Sequence, residues 1–262
     1  MHSDSPLEGM ALFEVVSQLM GKNWLGKKIG WKGYLKYKSA KKGALVPVHI
    51  MGHDIVIRKG TPDLTVALSC LDGEFEGLRY LFPRDYAGVI VDAGGYIGTS
   101  ALAMRKIFPR AEIVVVEPSE ENIKILRRNL SGVDNVRIVY GALVGRSIGS
   151  VPLKNRGTGE WGFTVVNRPR DNNQAKTLQD TPAYTISQIV DDVERIGILK
   201  LDIEGGEHDI LQNDLDALRH VKAIFIELHD RIVDGCSDLF FDFSRDRIVV
   251  NFGGEKFLSV KT

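Results

Sequence analysis

Apolar positions along this chain recur with two different periods, and the switch between them predicts the elements. From Val89 onward, short solid apolar runs alternate with stretches in which apolar residues return every three or four positions. The pattern predicts a strand over 89–92, a helix over 98–107, a strand over 112–116, a helix over 119–130 and a strand over 136–140. It resumes with a helix over 185–194, a strand over 197–202, a helix over 207–218 and a strand over 222–228. Leu239–Phe243 and Arg247–Asn251, with Lys256–Val260 beyond, read as an antiparallel edge. Strands reached by helical crossovers predict a doubly wound α/β fold around a mostly parallel sheet.

Two regions depart from that rhythm. Upstream, Leu12, Val15, Val16 and Leu19 mark an amphipathic helix, and residues 45–58 read as two short strands around the Met51-Gly-His53-Asp54 turn. Thr61-Pro-Asp63 reads as a helix start ahead of Leu64, Val66, Leu68 and Leu71. Between 145 and 184 the alternation breaks. Val151–Lys154 and Gly162–Val166 predict a hairpin around Asn155–Trp161, and Pro169–Thr181 reads as polar and mobile. An insertion past the third strand lies over the carboxyl ends of the sheet, where ligands bind. It reads either as a lid bearing Trp161 or as a plain surface hairpin anchored by it.

Composition narrows the class further. The 262 residues are 44% hydrophobic, with 34 basic and 34 acidic residues that cancel, so no global field points to nucleic acid. Cys70 and Cys236 form no disulfide framework or zinc spacing, which makes a reducing cytoplasm the expected location. No apolar run reaches membrane-spanning length. Residues 21–44 stand apart: Lys22, Lys27, Lys28, Lys32, Lys36, Lys38, Lys41 and Lys42 are interleaved with Trp24, Trp31, Tyr34 and Tyr37, with no acid among them. The segment reads as a solvated cap whose aromatics pack inward, or as a peripheral surface for an anionic partner.

The candidate chemistry starts at the first strand of the alternating part. That strand ends in Asp92, a glycine turn follows (Gly94, Gly95, Gly98), and the second strand ends in Glu117. A strand–glycine loop–helix–strand unit with acids at both tips is suited to an adenosine-containing cofactor. A dinucleotide brings a pyrophosphate, which a carboxylate before the glycines would repel. S-adenosylmethionine brings an ammonium, a sulfonium and two ribose hydroxyls with no phosphate, so Asp92 suits its amino end and Glu117 its ribose. The positions expected to touch it are Asp92, Gly94, Gly95, Tyr96, Gly98, Thr99, Ser100, Glu117, Pro118, Gly141, Ala142 and Asp202. On this reading 1–84 is an N-terminal extension and 85–262 the cofactor-binding catalytic domain, with 145–184 inserted.

A second constellation is Ile198-Leu-Lys-Leu-Asp-Ile-Glu-Gly-Gly-Glu-His208. Asp202, Glu204, Glu207 and His208 crowd one strand tip and the helix start after it. An acid in a first turn complements the helix dipole, and Asp202 can cap. Three carboxylates so close repel one another, however, and at a sheet's carboxyl edge the compensating reason is usually a ligand, a proton or a metal. Asp202 and Glu204 therefore read as functional, while Glu207 and His208 stay open between the two accounts.

These segments carry a resemblance. Val-Asp-Ala-Gly-Gly-Tyr-Ile-Gly, Val-Glu-Pro-Ser and Leu-Lys-Leu-Asp-Ile-Glu-Gly-Gly-Glu resemble the FkbM family of S-adenosylmethionine-dependent methyltransferases over about residues 55–230. The resemblance implies a class I methyltransferase fold: a Rossmann-like, mostly parallel seven-stranded sheet with helices on both faces and a small N-terminal extension. It also implies methylation of a hydroxyl group on a sugar or natural product. Thr61-Pro-Asp-Leu is similar to the family's Thr-Ser-Asp-Leu stretch. Gly95 stands where the family commonly has Ala, and Tyr96 where Asn is common. The basic aromatic segment lies outside the resemblance.

Such a reaction has one chemical demand. A sulfonium leaves as a neutral thioether without an acid, whereas a hydroxyl nucleophile must lose its proton to a base. Asp202 or Glu204 is the expected base, with His229 at the end of strand 222–228 competing. The acids with Glu227 also suit a divalent cation, but no ligand spacing compels one and none is expected. A nucleotide oxidoreductase would need Gly-x-Gly-x-x-Gly, which Gly94-Gly-Tyr-Ile-Gly98 does not supply. The alternatives are a methyltransferase acting on nucleic acid or a protein, although no Asn-Pro-Pro-Tyr or Asp-Pro-Pro-Tyr motif supports methylation of nucleic acid bases, and a catalytically silent cofactor-binding module.

Overall fold

The computed structural model describes residues 26, 28–155, 162–166 and 176–262. The expected Leu12–Leu19 helix, Lys22, Trp24, Lys27, Trp161 and Pro169 lie outside them. The chain divides into two compact units, Met1–Glu74 and Phe75–Thr262.

The first unit contains α1 (Trp31–Ser39), β1 (Leu45–Ile50), β2 (His53–Arg58) and α2 (Asp63–Ser69). β1 and β2 form the expected hairpin, paired from Leu45↔Arg58 to Ile50↔His53. Both residues of its turn, Met51 and Gly52, have positive φ (49° and 90°), the geometry whose twist matches paired strands. In the basic segment Tyr34 and Tyr37 are buried, while Trp31 is exposed. Lys59 Nζ lies 3.8 Å from the centre of the Tyr37 ring. Asp63 is fully buried, and its carboxylate accepts from the Arg58 backbone N–H at 2.7 Å and the guanidinium at 2.9 and 3.0 Å.

The second unit is built on β3 (Val89–Ala93), α3 (Thr99–Ile107), β4 (Glu112–Glu117), α4 (Glu120–Asn129) and β5 (Val136–Tyr140). β6 (Ala142–Leu143) follows directly, and the insertion supplies β7 (Ser150–Asn155), β8 (Phe163–Thr164) and β9 (Lys176–Tyr184). Then follow α5 (Ile186–Ile189), β10 (Ile196–Leu201), α6 (Glu207–Asn213), α7 (Leu215–His220), β11 (Ala223–Glu227), α8 (Cys236–Phe243), β12 (Arg247–Gly253) and β13 (Lys256–Lys261). The main sheet has seven strands in the order β12-β13-β11-β10-β3-β4-β5. β5, β4, β3, β10 and β11 run parallel, and β13 pairs antiparallel with both β11 and β12. β3 and β10 are buried at every position, as a strand covered on both faces must be, which is why they read as solid apolar runs. The expected mostly parallel α/β sheet is what the chain forms.

Five expectations are corrected. Leu239–Phe243 is not a strand but belongs to α8, where Cys236 and Phe240 are buried one turn apart. The helix expected over 207–218 breaks at Asp214 into α6 and α7, and that over 185–194 shrinks to the single turn of α5. Residues 176–181, read as polar and mobile, belong to β9, which pairs antiparallel with β7 from Ser150↔Pro182 to Asn155↔Lys176. β8 supplies only Phe163 and Thr164 to the expected hairpin partner of β7. The strand order reverses direction at β3, which has β4 on one side and β10 on the other. The carboxyl ends of these three strands flank the crevice where such sheets bind ligands.

Candidate active site

The glycine loop after β3 is shaped first by packing. Gly94 has φ 81°, and a Cβ there would lie 1.9 Å from the Asp202 carbonyl oxygen. At Gly95 it would lie 2.2 Å from a Val115 methyl. Both backbone N–H groups donate to the Val116 carbonyl at 3.0 Å. Only glycine lets the loop press against β4 and the end of β10 at once. Gly98 starts α3 in a left-handed conformation, with Thr99 and Ser100 buried in the first turn.

Asp92 is fully buried at the tip of β3, and Ser100 Oγ donates to its Oδ2 at 2.5 Å. Its Oδ1 lies 3.3 Å from Lys200 Nζ yet accepts no hydrogen bond. Lys200, buried in β10, donates to the carbonyls of Gly94 at 3.1 Å and Ala93 at 3.4 Å. Glu117 is buried at the tip of β4. It accepts from Tyr96 N–H at 2.9 Å, Ser119 N–H at 3.0 Å and Asn122 Nδ2 at 3.0 Å. Tyr96 adopts φ 48°, which is uncommon for a side-chain-bearing residue. Burial pushes the Glu117 carboxyl up to about 7, and these hydrogen bonds offset only part of that.

Pro118, Gly141 and Ala142 lie where the insertion meets the sheet. The Pro118 carbonyl accepts from Gln179 Nε2 at 3.1 Å and Thr181 Oγ1 at 3.2 Å. Gly141 N–H donates to the Glu117 carbonyl at 3.1 Å, and Ala142 pairs with Ala183. On the other flank, Thr164 Oγ1 donates to the Glu204 carbonyl at 2.7 Å. The insertion is thus tied to the tips of both β4 and β10.

The second cluster surrounds His229, which follows β11 and is fully buried. Buried Glu207 accepts from Ile203 N–H at 2.7 Å, Gly205 N–H at 2.8 Å and His229 Nδ1 at 3.0 Å. Because Glu207 is an acceptor, Nδ1 carries the proton and Nε2 faces the other acids. Nε2 lies 3.7 Å from Glu204 Oε1, 3.9 Å from Glu227 Oε1 and 4.0 Å from Asp202 Oδ1, and it makes no hydrogen bond. Burial lowers the imidazole's proton affinity, but the hydrogen bond and charge of Glu207, then Glu204 and Asp202, overcome it and raise the pKa to about 9. Burial pushes Glu204 up to about 7 despite the facing imidazole. Burial also opposes ionisation of Asp202, but Lys200 and His229 outweigh it and hold the carboxyl below its usual value. Glu204 is left-handed, with φ 53°, and His208 makes none of these contacts.

The expected residues therefore fall into two groups. Asp92, Glu117 and the glycines border one side, and Asp202, Glu204 and His229 the other. Asp202 joins them, with Oδ2 3.6 Å from Lys200 and Oδ1 toward His229. Sequence reasoning missed Lys200, Asn122 and the role of Glu207. Lys200 left a signal, a lone cation inside an apolar strand, where burial demands a partner. Glu207 stood in the acidic run, but its pairing left no signal, since its partner His229 follows β11 and is distant in sequence.

The chain is also similar in sequence to known proteins. Residues 92–247 match the Methyltransferase FkbM domain. The chain is 27% identical over 169 residues to Methyltransferase 1 of Beauveria bassiana, spanning 57% of this chain and 67% of that protein. It is 24% identical over 155 residues to 2-O-methyltransferase NoeI of Sinorhizobium fredii, spanning 55% and 64%. M. jannaschii TYW2 in complex with AdoMet aligns over 84% of this chain and 85% of its own, at 10% identity and a TM-score of 0.42.

Proposed function

From the premise that this chain belongs to the FkbM methyltransferase family and uses S-adenosylmethionine, we propose that it methylates a hydroxyl group of a sugar or natural-product acceptor. The observation that carries this reading is the placement of Asp202, which joins the glycine loop to a second set of proton-accepting side chains. A methyl donor needs no acid or base of its own; a hydroxyl acceptor needs a base beside it. The name of the Sinorhizobium fredii relative, a 2-O-methyltransferase, supports an oxygen acceptor.

The residues at the first two strand tips fit the donor. Asp92 Oδ1 is buried and accepts no hydrogen bond, which suits a positively charged, donor-rich group and would repel a phosphate. Asp92 would take the amino end and Glu117 the ribose hydroxyls. Bound there, S-adenosylmethionine supplies an electrophilic methyl group that departs from a neutral thioether. Lys200 keeps the glycine loop seated against β10 through its two carbonyl contacts. Asp202 or Glu204 receives the acceptor's proton, with Nε2 of His229 competing only in the neutral form of the imidazole, whose orientation Glu207 fixes. Positioning then governs the rate.

Mass spectrometry after incubation with labelled donor and an acceptor panel tests the acceptor class. A methyl group on oxygen is expected, and label on nitrogen or in nucleic acid overturns the reading. Asp202→Asn, Glu204→Gln and His229→Gln test the base. Removing it should lower kcat by about 100-fold or more with donor affinity nearly intact; unchanged turnover in all three would exclude them from the chemistry.

A further inference from the structure

The geometry points to a binding site for a divalent cation formed by Asp202, Glu227 and His229, and we propose that this chain carries one there. The argument begins with His229 Nε2, a polar atom in a fully buried side chain that accepts and donates nothing. Such an orphan costs free energy unless something occupies the space before it. Its neighbours are carboxylate oxygens at 3.7, 3.9 and 4.0 Å, too far for a hydrogen bond. The three oxygens therefore ring Nε2 across a gap that no hydrogen bond closes.

The same spacing suits a cation between them. Metal–ligand bonds from imidazole and carboxylate are about 2.1 Å, so ligand atoms around one ion stand about 3 to 4 Å apart. One ligand atom each from Asp202, Glu227 and His229 lies within 4.8 Å of the others. The outer oxygens of these acids already face cations: Asp202 Oδ2 is 3.6 Å from Lys200, and Glu227 Oε2 is 3.7 Å from Lys256. Glu204 Oε2 likewise faces Arg231 at 3.7 Å. Each acid thus turns its other oxygen toward Nε2. Glu207 holds Nδ1 at 3.0 Å, and a ligating histidine almost always gives its second nitrogen to such an acceptor.

One nitrogen and two oxygens favour a cation of the Mn2+ or Zn2+ type over Ca2+. Three protein ligands leave open positions for an oxygen of the acceptor. Binding stands on the geometry alone; its use, lowering the pKa of the acceptor hydroxyl beside the donor, rests on the O-methylation reading.

The test is titration of the full chain, stripped with chelator, with Mn2+ followed by electron paramagnetic resonance. One equivalent is expected to bind, with nitrogen coupling in the spin-echo spectrum that disappears in His229→Gln. Asp202→Asn and Glu227→Gln should weaken binding at least tenfold, and Glu207→Gln by about 10- to 100-fold. Glu121→Gln, an exposed acid on α4, should leave it unchanged. Should the ligand variants fail to fold, the parent alone decides, because Mn2+ at 1 mM should raise its Tm. Absence of saturable binding by Mn2+ and Zn2+, or binding that survives both carboxylate substitutions, overturns the proposal. Mn2+ binding without methylation of any oxygen leaves the site standing and removes the acceptor reading. Methylation that persists in chelator without Mn2+ binding does the reverse.

Discussion

Glu117 and Lys200 are buried ionisable groups that hydrogen-bond the glycine loop after β3. The Glu117 carboxyl is raised from an ordinary 4.5 to about 7 by burial. Between those values the folded chain binds more protons than the unfolded one, so this group's contribution to stability declines as pH rises from 4.5 to 7. The decline amounts to about 3 kcal/mol at most. Urea unfolding at pH 5 and pH 7 should show it, and Glu117→Gln should flatten it. If the ionised carboxylate accepts the ribose hydroxyls, donor affinity should rise with pH and level off above about 7. Calorimetry checks that, and a Glu117→Ala chain that binds the donor as tightly as the parent would refute the ribose role. Lys200 faces Asp92 at 3.3 Å and Asp202 at 3.6 Å. Lys200→Met leaves a buried carboxylate without its cation, and denaturant unfolding should show a loss of about 3 to 5 kcal/mol.

At the scale of elements, the loop between β3 and α3 is set by what passes beside it. Gly94→Ala combines a positive φ with a Cβ 1.9 Å from the Asp202 carbonyl. The loop or the end of β10 must then move. The expected result is a loss of at least about 2 kcal/mol in unfolding experiments, together with weakened donor binding. Full donor affinity in that variant would show the close approach to be dispensable. Element reading from sequence was sound where burial was total or nearly so. β3, β4, β10 and β11 are apolar on both faces, so their runs stand out. It failed where the period was ambiguous or the environment half-wet. Leu239–Phe243 is short enough for a strand, and only the one-turn spacing of Cys236 and Phe240 marks it as helical. β9 is exposed along its first half and polar in sequence, and its pairing with β7 overrides that composition.

For the molecule as a whole, acidic and basic residues balance at 34 each, so there is no net field to draw a polyanion. Fluorescence anisotropy with a labelled single-stranded RNA at about 0.15 M salt should detect no association. Tight, salt-sensitive binding would return the lysine-rich 21–44 segment to prominence. Among the described residues no helix is long and apolar enough to cross a membrane. Periodicity along the chain determined the α/β class, the alternation of elements and the acids at the ends of the first two sheet strands, because those are properties of neighbours in sequence. Strand order was decided only in three dimensions. β11 lies beside β10, which brings His229 to Glu207 and turns Asp202 between Lys200 and the imidazole. Which oxygen of a carboxylate meets a cation, and which faces a buried nitrogen, depends on distances between strands that no local pattern encodes.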